Sequence, residues 1–410
     1  MSKGGAAGAL SDLTVIDLTQ NLAGPYATMI LADHGARVVK IEPLDGDPTR
    51  RAGAFRADDK VRALSGYFQS INRNKESVSL DLKSEGGRDA FLALARGADA
   101  VIENFRAGVM ERLGLGYEVL KGANPRLVYG ALRGFGDART GASPYLAWPA
   151  YDVIAQAMGG VMAITGPDAA TPTKVGPGVG DIVPGMMLAF GVVAAIHHAR
   201  RTGEGQFVDV AMVDAVLAVC ERPVWQHSVE GLVPGPEGNH HPFLCPFGMF
   251  PAADGFVTIA APQQPFFETL CRAISAEVLL ADPRFADPPS RSKHRKDLIE
   301  ALGGHTRGFS KAALNARLGG RMPFGPVMDI GEIATDPHFA ARQMIVEVEQ
   351  PGSNPIHVAG TPVKMTRTPG GVRRRAPLLG EHTRQHLRHG GLADSAIQAL
   401  IEAGAALARD

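Results

Sequence analysis

Four short apolar runs, LTVIDL (13–18), RVVKIE (37–42), DAVIEN (99–104) and RLVYGAL (126–132), are separated by stretches of helical character such as GRDAFLALA (87–95) and VMERL (109–113). A strand, a helix and a second strand in succession build a parallel sheet, and apolar strands between helices belong to a sheet covered on both faces. The fold class is therefore α/β, with an open parallel sheet at its centre. A dinucleotide-binding sheet would carry GxGxxG after its first strand. Here that place reads NLAGP, so the dinucleotide cradle is absent, and Glu42 is read as a structural or surface acid.

The texture changes after residue 220. ERPVWQHSVEGLVPGPEGNHHPFLCPFG is rich in proline and glycine and reads as a linker, followed by a strand at 254–261 and a helix at 265–274. These define a smaller α+β domain reaching to about residue 325.

Charge and composition exclude several classes of function. The 42 basic residues balance 42 acidic ones, which leaves no general field for nucleic acid or an acidic membrane. The three cysteines, Cys220, Cys245 and Cys271, form no CxxC and fit a reducing compartment. MSKGGAAGAL lacks a signal-type core, and the apolar run 186–196 is short for a bilayer, so a soluble cytoplasmic protein is expected. The histidines adjacent at 197–198 and 240–241 lack metal-ligand spacing, and no metal is expected. No G-x-S-x-G elbow is present, and no histidine lies between His34 and His197.

Carboxylates remain as the source of a nucleophile. Asp181 follows GPGVG and precedes a long apolar run. Glycines permit close backbone approach, their N–H groups can face an oxyanion, and a helix N-terminus favours negative charge. An ionised aspartate there can attack an activated acyl group. The same residue can equally be a helix cap before Pro184.

Six blocks, in order along the chain, carry a resemblance: LAGPYATMILADHGARVVKIE (22–42), SINRNKESVSLDLKSEGGRD (70–89), ADAVIENFRAGVMERLGLGYEVLKGANPRLVY (98–129), GEGQFVDVAMVDA (203–215), PFGPVMDIGEIATDPHFAAR (323–342) and APLLGEHT (376–383). They resemble the class III coenzyme A-transferases, the CaiB/BaiF family that includes formyl-CoA transferase. The resemblance implies a large α/β domain from residues 1–220 and 330–410, a linker and small domain over 221–329, and a homodimer of interlocked rings. It places the family nucleophile on Asp181. It also implies coenzyme A contacts at Leu22, Ala23, Leu80, Asp81, Leu82, Lys83, Asn104, Phe105, Arg106 and Arg112, with Tyr151 counted among them.

The implied reaction moves coenzyme A from an acyl-CoA to a free carboxylic acid through covalent intermediates on Asp181, with coenzyme A as substrate and no permanently bound cofactor. Related racemases place a histidine where PAYDVIAQ has Tyr151, and tyrosine is a poor base at neutral pH. A racemase-like enzyme and a non-catalytic CoA-binding protein are the alternatives. Two departures, the missing glycine run in HHPFLCPFGMFPAADG and Pro43 in place of an arginine, point away from formate and oxalate toward another acid. A dicarboxylate is the expected substrate class, with His240 or His241 near its distal group.

Overall fold

The computed structural model describes residues 8–409; the first seven positions of the segment read for a signal core lie outside the described residues. Six parallel strands form the main sheet: β1 Thr14–Asp17, β2 Arg37–Glu42, β3 Glu76–Leu80, β4 Ala100–Glu103, β5 Val128–Arg133 and β6 Phe207–Ala211. Their order is β3-β2-β1-β4-β5-β6, and Ala406–Leu407 adds an antiparallel strand beside β3. The helices of this unit are α1 Ala23–Asp33, α2 Gly66–Asn72, α3 Glu85–Arg96, α4 Val109–Arg112, α5 Tyr117–Ala123, α6 Asp152–Met158, α7 Val179–Thr202, α8 Met212–Val219 and α9 Glu221–Glu230, followed by Thr383–His389 and Asp394–Glu402.

Alternate strand residues feed two cores, as the two-residue period of a strand requires. Ile16, Val39, Val101 and Tyr129 pack with Phe91, Leu120 and Leu387 on one face. Val15, Val38, Ile102 and Val128 pack with Leu31, Leu188 and Val192 on the other. The expected open sheet, covered on both faces, is present.

Two segments differ from the sequence reading. Residues 221–230, read as the start of a linker, form α9, whose Val224, Trp225 and Val229 face outward. The apolar run 186–196 is the middle of α7, a 24-residue helix. By length and composition alone α7 is long and apolar enough to cross a membrane. One side of it is buried on the sheet and α1, while Met186, Met187 and Phe190 are exposed.

The chain divides into two compact units. The larger holds the described residues up to Val161, then Lys174–Gly231 and the chain from His338 onward. The smaller holds Met162–Thr173 and Leu232–Pro337. Its sheet is antiparallel, with β7 Phe247–Ala252, β8 Gly255–Ala260 and β9 Phe324–Pro326, and its core includes Phe267, Leu270 and Cys271 of α10 Gln264–Ala273.

Candidate active site

In an open parallel sheet, ligands collect beyond the carboxyl ends of the strands where strand order reverses. That reversal falls between β1 and β4. The loops leaving those two strands carry Leu22 and Ala23 on one side and Asn104, Phe105 and Arg106 on the other. With Arg112, Trp148, Tyr151 and Asp181 they line one cavity of about 510 Å³.

Buried charges shape the first loop. Asp17, at the end of β1, accepts hydrogen bonds from Thr19 and Thr28 and pairs with Lys75 at 3.0 Å, all fully buried. Lys40 Nζ donates to the Thr19 carbonyl at 2.7 Å and pairs with Asp47. Burial pulls Lys75 down to about 8 in spite of Asp17.

Asn104 lines the cavity and also ties two loops together. Its Oδ1 accepts the Gln20 N–H at 2.8 Å and its Nδ2 donates to the Gln20 carbonyl at 2.8 Å, so the side chain's amide stitches the two loops together. Arg106 and Arg112 are exposed on the cavity wall, and suit phosphate oxygens.

The sequence run before Asp181 folds as a close-packed helix start. The cap is Gly178, so Asp181 stands third in α7 and does not cap it. A Cβ on Gly180 would sit 2.5 Å from the Asp152 carbonyl oxygen, and one on Gly185 would sit 2.6 Å from the Ala23 carbonyl oxygen. Glycine is what lets α7 approach α6 and α1 this closely. The N–H of Gly180 goes to Asp152 Oδ1 at 2.8 Å, and those of Val179 and Asp181 go to the carbonyls of Pro177 and Gly178. The oxyanion donors expected from the glycine run are therefore not offered by these three residues.

The Asp181 carboxylate has no hydrogen-bond partner among the described residues and is pushed up to about 7, by burial first and then by the charge of Asp152. Asp152 is itself held by Gln156 Nε2 at 3.0 and 2.9 Å. An unpaired carboxylate with a raised pKa on a cavity wall is a basic, weakly solvated nucleophile.

Several expected contacts fall elsewhere. The Leu80 side chain is in the core, Asp81 accepts the Lys83 N–H at 3.0 Å in a turn, and none of Leu80, Asp81, Leu82 and Lys83 lines the cavity. They sit at the end of β3, on the same edge of the sheet. His240 and His241 belong to the smaller unit, where His241 Nδ1 accepts the N–H groups of Phe243 and Leu244. Among the described residues no group suited to a metal is found.

One residue of the cavity wall, Trp148, was missed in the sequence. It packs edge-on against Phe135 at 6.2 Å and tilted against Tyr145 at 4.6 Å. Its signal was an aromatic residue within the otherwise turn-like SPYLAWP. Tyr67, partly buried and outside the cavity lining, is raised by burial first and then by the charges of Asp181 and Asp47.

The chain belongs to the CoA-transferase family III, which it matches over residues 10–383. It is an enzyme that transfers coenzyme A between an acyl-CoA and a carboxylate. It is 49% identical over 389 residues to a succinyl-CoA:mesaconate CoA-transferase of Haloarcula hispanica, covering 94% of this chain and 97% of that one. It is 37% identical to a succinate–glutarate CoA-transferase of Agrobacterium fabrum, covering 92% and 94%. A CaiB/BaiF family protein from Brucella suis shares the fold, with a TM-score of 0.85, 32% identity and coverage of 94% and 100%.

Proposed function

We propose that this CoA-transferase exchanges coenzyme A between dicarboxylic acids of about succinate size, with Asp181 as the covalent carrier. The observation that carries the reading is the unpartnered Asp181 carboxylate on the cavity wall. The relatives from Haloarcula hispanica and Agrobacterium fabrum, named for succinyl-CoA, mesaconate, succinate and glutarate, support the substrate class.

The Asp181 carboxylate attacks the thioester carbonyl, the carbon–sulfur bond breaks, and an aspartyl–acyl anhydride forms with release of the CoA thiolate. The thiolate attacks the Asp181 carbonyl of the anhydride, giving an aspartyl-CoA thioester and the free donor acid. The acceptor carboxylate then attacks that thioester and the two steps run in reverse. The thioester's energy is conserved, so no further energy source enters. Water must be excluded from both intermediates, and the first turn of α7 favours the carboxylate that forms each time Asp181 is released.

The working protein is an interlocked homodimer in the cytoplasm, without a resident cofactor. The family resemblance supports this arrangement, as does the exposed apolar face of α7, where Phe190 is 77% exposed.

Mass spectrometry after incubation with succinyl-CoA, with hydroxylamine or borohydride trapping, tests the chemistry. An adduct on Asp181 in the wild type, absent from Asp181→Ala, is expected. If no donor labels Asp181 while the α-proton of a branched acyl-CoA exchanges with deuterium, the covalent reading fails in favour of racemisation.

A further inference from the structure

Two buried charges that the reaction does not use hold the two peptide groups that meet at Phe105 in the coenzyme loop. The Phe105 N–H donates to Glu103 Oε2 at 2.6 Å, and Arg133 Nε donates to the Phe105 carbonyl at 3.4 Å. The two side chains then close on each other, Arg133 Nη2 donating to Glu103 Oε1 at 2.6 Å, while Nη1 goes to Asp137. Glu103 is fully buried and Arg133 is 8% exposed, its remaining surface on the cavity wall.

A buried ion pair is a poor source of stability, since well-packed apolar residues of similar volume usually serve as well. The burial penalty shows here: it lifts Glu103 to about 7 against the pull of Arg133. What apolar residues cannot do is fix the rotation of a peptide plane. Glu103 ends β4 and Arg133 ends β5, so both anchors sit on rigid neighbouring strands. The two peptide groups between them join at Phe105, with Asn104 and Arg106 on either side, and all three residues line the cavity.

We infer that Glu103 and Arg133 are positioning residues for the acyl-CoA substrate, clamping the peptide groups on either side of the Phe105 Cα so that the Asn104–Arg106 loop keeps the shape that receives coenzyme A. This rests on the cavity being the coenzyme site of the proposed function.

The test uses the full-length protein and free CoA as probe, by calorimetry, together with steady-state kinetics. Glu103→Gln and Arg133→Lys should each raise the Kd for CoA and the KM for succinyl-CoA tenfold or more. The KM for the acceptor acid and kcat at saturating succinyl-CoA should stay within threefold. The paired variant Glu103→Leu with Arg133→Met removes both charges at similar volume. It should melt near the wild type yet still bind CoA at least tenfold more weakly. Restored CoA affinity in that pair, or unchanged affinity in a folded single variant, reduces the clamp to a structural role and overturns the inference. A wild type that binds no CoA overturns the placement of the coenzyme and the clamp's role together. A wild type that binds CoA but is never labelled on Asp181 removes only the covalent mechanism.

Discussion

Gly180 donates its backbone N–H to Asp152 Oδ1 at 2.8 Å, so the carboxylate that pins the first turn of α7 also lends its charge to Asp181, the next residue along. Anchor and electrostatic tuner are one side chain. The attacking form of Asp181 is ionised, so kcat/KM for acyl-CoA should rise with pH through about 7 and level off above it. Asp152→Asn removes the like charge and should move this limb to lower pH, short of the ordinary aspartate range because burial remains. A limb that stays in place assigns the whole shift to burial.

The raised carboxylate also costs stability. The unfolded chain ionises Asp181 near 3.8 and the folded chain near 7, so the destabilisation is absent below the first value, grows between them and is complete above the second. At about 1.4 kcal/mol per unit it amounts to on the order of 3 kcal/mol, allowing for partial solvent contact. Asp181→Asn should melt above the wild type at pH 8, and the gap should close as the pH falls to about 4. Melting curves at several pH values read this directly, and a constant gap would contradict it.

Asn104→Ala breaks both hydrogen bonds to Gln20 and leaves a backbone donor and acceptor without their partners. The expected loss is about 1–3 kcal/mol in urea unfolding, accompanied by weaker CoA binding. Loss of binding with unchanged stability would mean that Asn104 meets the ligand directly.

Glu42 receives Arg50 through two contacts of 2.7 Å, with Ser77 Oγ at 2.6 Å, and is almost wholly buried. Arg50→Met strands that charge and should cost about 3–5 kcal/mol. Adding Glu42→Gln should recover much of the loss. Failure to recover would show that Arg50 matters through its bond to the Pro377 carbonyl.

How far the fold could be read from the sequence depended on whether each segment's partners lay nearby. RVVKIE is a strand over the same six residues because its own side chains fill the core. ESVSL, with polar Glu76, Ser77 and Ser79, has no apolar run to mark it as β3; all three side chains are buried, satisfied by His386, Glu42 and the Pro43 carbonyl from other parts of the chain. Helix α9 escaped because its apolar residues face outward, the reverse of the usual stripe. The site divides in the same way. Asp181 was legible through its glycine setting and the family resemblance, whereas Trp148 reaches the cavity only by tertiary placement. Leu80, expected as a contact from the resemblance, turns its side chain into the core.

The strand at Ala406–Leu407 lies against β3, whose residues are made far earlier. During synthesis β3 is therefore left without this neighbour until Ala406–Leu407 emerges from the ribosome. Over most of that interval the nascent protein exposes a row of unpaired backbone groups. The helix Thr383–His389, whose His386 bonds Glu76 of β3, arrives only shortly before. A ribosome stalled after β3 but before residue 383 should therefore hold a chain more prone to aggregate than one that includes Ala406–Leu407.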